Sequence, residues 1–264
     1  VVTDRGVRQA GLMDKALASL AGKTAGIFDE TPGNPTEAAV RAAATAYLDA
    51  GADGIVAIGG GSAIDLAKGV AIAATHDGPL KDYAVIAGGA ARITARTAPV
   101  VAVPTTAGTG SEVGRGAIII LDDGRKVGLL SPYLIPRRAI CDPELTVTLP
   151  AGLTAATGMD ALSHCVETYL SAAFNPPADG IALEGLRLGY GAIVRATESP
   201  QDRAALRAVG AAVPETSAED LGESRLDDVE GVAQQLAQLG RRQPVVTGVE
   251  VAADQQPVGD ERGV

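Results

Sequence analysis

Tryptophan is absent from this 264-residue chain, and phenylalanine, methionine, cysteine and histidine occur twice each. With aromatics at 3% and apolar residues at 46%, any core has to be built from alanine, valine, isoleucine and leucine. Cys141 and Cys165 are too few for a disulfide framework. No apolar run is long enough to span a bilayer and no secretory leader is found, so a soluble cytoplasmic protein is expected. Lysine and arginine form no stripe and the formal net charge is −10, which excludes a nucleic-acid backbone or an anionic membrane as partner.

What is present alternates between helix and strand. Val1-Val2-Thr3-Asp4 reads as the end of a strand, and without an initiator Met the start of the chain is expected to be incomplete. An acid just past a strand of a nucleotide-binding sheet accepts both ribose hydroxyls and repels a 2′-phosphate, so Asp4 favours NAD over NADP. A helix N-cap would use the same side chain equally well. Residues 8–20 carry apolar positions at helical spacing, 23–28 read as a short strand, and Thr31-Pro32-Gly33-Asn34-Pro35 is a turn. Residues 36–50 form an alanine-rich helix, and the wholly apolar run 54–58 is the pattern of a strand buried on both faces of a parallel sheet.

That strand runs into Gly59-Gly60-Gly61-Ser62, followed by a helix with Asp65 and Lys68. Glycines at a helix N-terminus bare backbone N–H groups that a pyrophosphate can approach, although a tight strand-to-helix turn has the same composition. A second buried strand, 99–104, leads into Thr105-Thr106-Ala107-Gly108-Thr109-Gly110-Ser111-Glu112, whose hydroxyls and small residues suit phosphate or ribose oxygens or simply a polar turn. His76, in the loop 75–79, has no metal partner in the sequence and reads as a surface histidine. Residues 117–121 and 126–130 flank Asp122-Asp123-Gly124-Arg125 as a hairpin, and 138–141 give one more strand.

From Ala151 the pattern is helical only, which places a domain boundary near Pro150. Asp160 and His164 are four apart, one above the other on a helix face, and a carboxylate with an imidazole suits a borderline divalent metal. A salt-bridged helix face is the alternative. Cys165 beside His164 points about 100° away along the helix, so a small buried side chain is expected rather than a nucleophile. A second helix follows Pro176-Pro177.

Three stretches, Gly59-Gly60-Gly61-Ser62-Ala63-Ile64-Asp65-Leu66-Ala67-Lys68, then Pro104 to Val113, then Ala155 to His164, stand in an order that resembles the iron-containing, or group III, alcohol dehydrogenase family. Asn34-Pro35 and Cys141-Asp142-Pro143 fit the same resemblance, which covers roughly residues 1–200. It implies an α/β fold: a Rossmann-like N-terminal domain with a parallel sheet over residues 1–150, then a helical metal-binding domain begun by 151–206. It also implies an oxidoreductase that passes a hydride between NAD(P) and a small alcohol, aldehyde or hydroxy acid. Carried over residue by residue, Asp4 selects the ribose and Asn34 lines the nucleotide cleft. Gly60, Gly61 and Ser62 form the pyrophosphate loop, Thr105, Thr106 and Thr109 line the cofactor, and Lys126 reaches its ribose side. Asp160 and His164 are the first two ligands of Fe2+, or alternatively Zn2+. No protein general base is assigned.

The family completes its metal site with two further histidines, and no histidine follows His164 in this chain. Residues 207–264 differ in character, with little apolar periodicity outside 229–239, and are expected to be a frameshifted or poorly ordered tail, leaving the helical domain incomplete. The alternatives are a nucleotide-binding remnant without turnover, or a relative in the glycerol dehydrogenase or dehydroquinate synthase branch. An apolar face left by missing helices would favour a homo-oligomer.

Overall fold

The computed structural model describes residues 1–212 apart from Ala21 and Ala173. The expected tail lies almost entirely outside the described residues, as does the periodic run 229–239. The strands β1 (Ile55–Gly59), β2 (Val100–Pro104) and β5 (Arg138–Ala139) form a parallel sheet in the order β1-β2-β5. Ile55 pairs with Val100 and Gly59 with Pro104, while Val101 pairs with Arg138. Val2 extends this sheet through single parallel bridges to Ala57 on one side and Phe28 on the other.

Alternation along the strands separates two layers. Ile55, Ala57, Val100 and Ala102 face the main core with Val40, Ile64, Val70, Ile119 and Leu129. Ile58 and the half-buried Val56 and Val103 face Val7, Leu12 and Met13 on the opposite side. The main-core layer is made by α3 (Glu37–Asp49) and α4 (Gly61–Ala73), the other by α1 (Arg5–Gln9) and α2 (Leu12–Ser19). Both faces of the sheet are therefore covered, which explains why its strands read as unbroken apolar runs. Burying Ile64, Leu66 and Ile72 completely contributes about 1.5–3 kcal/mol for each side chain. α3 approaches α4 closely because Gly69 has no Cβ, and one built there would lie 2.9 Å from Val40 Cγ2.

The antiparallel hairpin β3 (Gly116–Ile120) and β4 (Lys126–Leu130) turns at Gly124, whose φ of 84° suits glycine. Its inner residues Ile119 and Leu129 cap the main core. After it come α5 (Ala151–Leu170), α6 (Pro176–Glu198) and α7 (Arg203–Gly210). Among the described residues no helix is long and apolar enough to cross a membrane.

Four expectations change. The helix expected over 8–20 is two helices, broken where Gly11 takes a φ of 72°. Residues 23–28 form no strand beyond the Phe28 bridge, since only Phe28 meets Val2. His76 is buried rather than on the surface, at 8% exposure. The Thr94 amide donates to His76 Nε2 at 3.0 Å, so the proton sits on Nδ1, 2.8 Å from Thr75 Oγ1. Tyr83 packs edge-on against the ring at 5.7 Å. The strand expected over 138–141 is likewise reduced to Arg138–Ala139. Cys165 is fully buried, as expected, and gives its thiol hydrogen to Ala212 O at 2.9 Å.

Candidate nucleotide and metal site

In an open parallel sheet, ligands sit beyond the carboxyl ends of the strands. The glycine turn follows that end of β1, and the threonine loop follows that end of β2. α4 opens at Gly60 with no side chain capping it, whereas Asp4, Thr36, Asn175 and Asp202 cap α1, α3, α6 and α7. The amides of Gly60, Gly61 and Ser62 have no carbonyl one turn earlier to pair with, which is the arrangement that accepts an anion.

The two loops lie against each other. The Thr105 amide donates to Gly59 O at 3.0 Å. A Cβ on Gly60 would lie 3.1 Å from Thr106 Cγ2, and one on Gly61 would lie 2.7 Å from Thr109 Oγ1 and Cγ2. A side chain at Gly61 would force Thr109 to move, and one at Gly60 would crowd Thr106. Asp4 caps α1 by accepting from the Val7 amide at 2.9 Å, so the N-cap role is real. Its second oxygen lies 3.2 Å from where a Gly59 Cβ would stand, so the same carboxylate borders the glycine turn. Ser62 Oγ donates to Gly33 O at 2.7 Å, which draws the turn carrying the exposed Asn34 alongside α4. Lys126 is exposed at the start of β4, where its charge helps pull the Asp65 carboxyl down against the stronger upward push of burial.

The threonine loop also touches the helical part. Ala107 joins Ala192, Ala196, Leu206 and Val209 in one apolar cluster. A Cβ on Gly108 would lie 2.7 Å from Thr157 Cβ, with the Thr157 carbonyl oxygen closer still. Thr157, Asp160 and His164 follow at intervals of three and four along α5 and share one side of it. The loop that packs on the glycine turn therefore packs on the face of α5 that carries the acid and the imidazole.

His164 Nε2 lies 3.9 Å from Asp160 Oδ1, and both side chains remain partly exposed. Among the described residues no third His, Cys, Asp or Glu joins them as a possible metal ligand. Cys141, two residues past β5, is exposed on the surface, yet partial desolvation of its thiol, together with the nearby Glu112 carboxylate, pushes the thiol pKa up. Glu112 itself is pushed up, chiefly by burial. The contacts of Asp65, Lys68 and Ser111 were not foreseen from sequence. Their partners lie 46 to 53 residues away, a distance at which no periodic signal exists.

Fold and loop arrangement together define an α/β protein whose glycine turn and threonine loop meet beyond the carboxyl ends of its parallel strands. The sequence profile of iron-containing alcohol dehydrogenase matches residues 1–143, and that of the C-terminal part of the same family matches residues 154–213. The chain belongs to the iron-containing alcohol dehydrogenase family. It is 65% identical over 203 residues to a 4-hydroxybutyrate dehydrogenase of Cupriavidus necator, a match covering 77% of this chain and 53% of that protein. A solved 1,3-propanediol oxidoreductase superposes with a TM-score of 0.74 at 39% identity, covering 80% of this chain and 55% of its own. A sulfoacetaldehyde reductase from Bifidobacterium kashiwanohense, solved with NAD+, superposes with a TM-score of 0.74 at 30% identity, over 82% of this chain and 59% of its own. The chain spans about half the length of the curated relatives it matches.

Proposed function

We propose that this chain carries the cofactor-binding part of an oxidoreductase that transfers a hydride between NAD and a small alcohol, aldehyde or hydroxy acid. The observation that carries the reading is the threonine loop, which touches both the uncapped glycine turn and the Asp160/His164 face of α5. In this reading the amides of Gly60, Gly61 and Ser62 hold the pyrophosphate, with the helix N-terminus favouring its charge. Thr105, Thr106 and Thr109 wall the loop, and Asn34 and Lys126 stand at its rim. Asp4 meets the adenosine ribose and disfavours NADP. The start of α5 at Ala151 supports an α/β unit ending near Pro150 followed by a helical unit, whereas α7 runs on to Gly210 past the change expected at 207.

A carboxylate oxygen and an imidazole nitrogen 3.9 Å apart can grip one divalent ion, Fe2+ by family or Zn2+ as the alternative. Such an ion supplies a Lewis acid for a substrate oxygen. The described residues give it only these two protein donors. That same shortage favours a second reading, a chain that binds nucleotide without turnover. The named relatives act on a hydroxy acid, a diol and an aldehyde, a range compatible with the small-substrate class. A cytoplasmic setting and self-association belong to the same proposal.

Calorimetric titration with NAD, followed by absorbance at 340 nm with ferrous or zinc ion and short alcohols, separates the readings. Binding with turnover supports the dehydrogenase, and binding alone supports the remnant. No binding removes both. Gly60→Val fills the space in front of Thr106 and is expected to abolish NAD binding while leaving helix content unchanged.

A further inference from the structure

The helix that presents its N-terminus to the loop also ties down what lies around it. Ser62, Asp65 and Lys68 succeed one another at intervals of three along α4 and leave it on one side. Asp65 accepts from Ser111 Oγ with one oxygen and from the Ile118 amide at 2.9 Å with the other. Lys68, with 0% exposure, gives its ammonium to Gly114 O and Gly116 O, each at 2.7 Å. Four backbone or hydroxyl groups between residues 111 and 118 are thus held by two charged side chains one turn apart.

Taking an ammonium and a carboxylate out of water is costly, and neutral side chains could pin a turn at less expense. What charged groups with several acceptors and donors add is a single admissible position for the segment, because each partner sits on a different residue. The position matters to the cofactor loop. The Ser111 amide donates to Thr109 Oγ1 at 3.3 Å, and Thr109 is the side chain that faces Gly61. Contacts therefore run from the buried pair through Ser111 and Thr109 to the glycine turn.

We propose that Asp65 and Lys68 are positioning residues for NAD, holding segment 111–116 so that Thr109 and its neighbours stand at the glycine turn ready for the pyrophosphate. The inference rests on the nucleotide-binding reading above. Neither residue touches the cofactor, and their effect passes through the loop.

The test is calorimetric titration of the full chain with NAD, run at a temperature where circular dichroism shows each variant folded. Ser111→Ala, which removes one hydroxyl from the clamp, is expected to weaken binding about fivefold, and Lys68→Met more than about twentyfold. Amide exchange over residues 105–116 is expected to speed up in both. A clamp with a purely structural role would lower the melting temperature but leave the Kd of the folded protein unchanged, and that result overturns the proposal. If Lys68→Met does not fold, Ser111→Ala decides alone. Failure of the parent chain to bind NAD overturns the nucleotide reading and this inference with it, whereas parent binding matched by unchanged variants overturns the inference only.

Discussion

Gly108→Ala tests the contact on which the site depends. The added Cβ would stand 2.7 Å from Thr157 Cβ and nearer still to the Thr157 carbonyl, and both belong to a helix that cannot turn aside. Ordinary carbon contacts begin near 3.4 Å, so the loop or α5 has to shift by a sizeable part of an ångström. Overpacking of this kind costs about 1–3 kcal/mol. For a chain of this size each kcal/mol lowers the melting temperature by about 2–4 °C, which gives an expected fall of about 2–12 °C. Gly191→Ala is the matched control: it lies in α6 with nothing within 4 Å of its Cβ position. There alanine relieves the helix of glycine's backbone entropy and is expected to raise stability by about 1 kcal/mol. Far-UV circular dichroism melts of both variants read the two signs. Melting of Gly108→Ala within about 1 °C of the parent, or shifts of the same sign in both, would refute the tight approach of loop and helix.

His76 is held neutral, its pKa lowered by burial first and by Arg96 second. Its folded value therefore lies below its unfolded one of about 6.5, the unfolded chain takes up the proton first, and stability is lost as pH falls below about 6.5 toward the lower folded value. Melting temperatures at pH 7.5 and 5.5 should show a smaller difference in His76→Phe than in the parent; equal differences would remove His76 as the cause. Cys141 is exposed and Cys165 fully buried with its thiol pKa pushed up to about 12, so a thiol reagent should label one cysteine in the native protein and two in guanidinium. Native labelling of both would contradict the packing of α5. Copurifying iron or zinc should disappear in His164→Ala, and an unchanged metal content would place the ion elsewhere.

The layers were legible because their signals are local. β1 and β2 stand out as short apolar runs, α4 as the apolar stretch after the glycines, and the hairpin as two runs about an Asp-Gly turn. Element ends were less legible where one residue decides them. Gly11 breaks a periodicity that continues on both sides of it, and residues 23–28 have strand-like composition but only Phe28 finds a pairing partner. His76 shows why a polar residue in a glycine-proline loop does not reveal its burial: Thr94, which completes its hydrogen bonds, lies 18 residues on. In the site, residue types pointed to the loops, but the meeting of Gly108 with Thr157 and the anchoring of 111–118 by Asp65 and Lys68 are tertiary facts. They come from which surfaces happen to face one another, and no spacing within a single element encodes that.

Three glycines bring α5 and α6 close around the apolar cluster of Leu162, Cys165 and Leu186. A Cβ on Gly185 would meet Cys165 Sγ at 2.7 Å, one on Gly189 would meet Leu162 Cδ2 at 2.8 Å, and one on Gly158 would run into Ile193. Each notch admits one particular neighbour, so α5 can neither roll about its long axis nor slide by a residue without collision. The azimuth at which Asp160 and His164 project is thereby set by the far side of their own helix, as the hour hand of a clock is set by gears behind the dial. Changing a glycine there would re-aim the pair without altering either of its members.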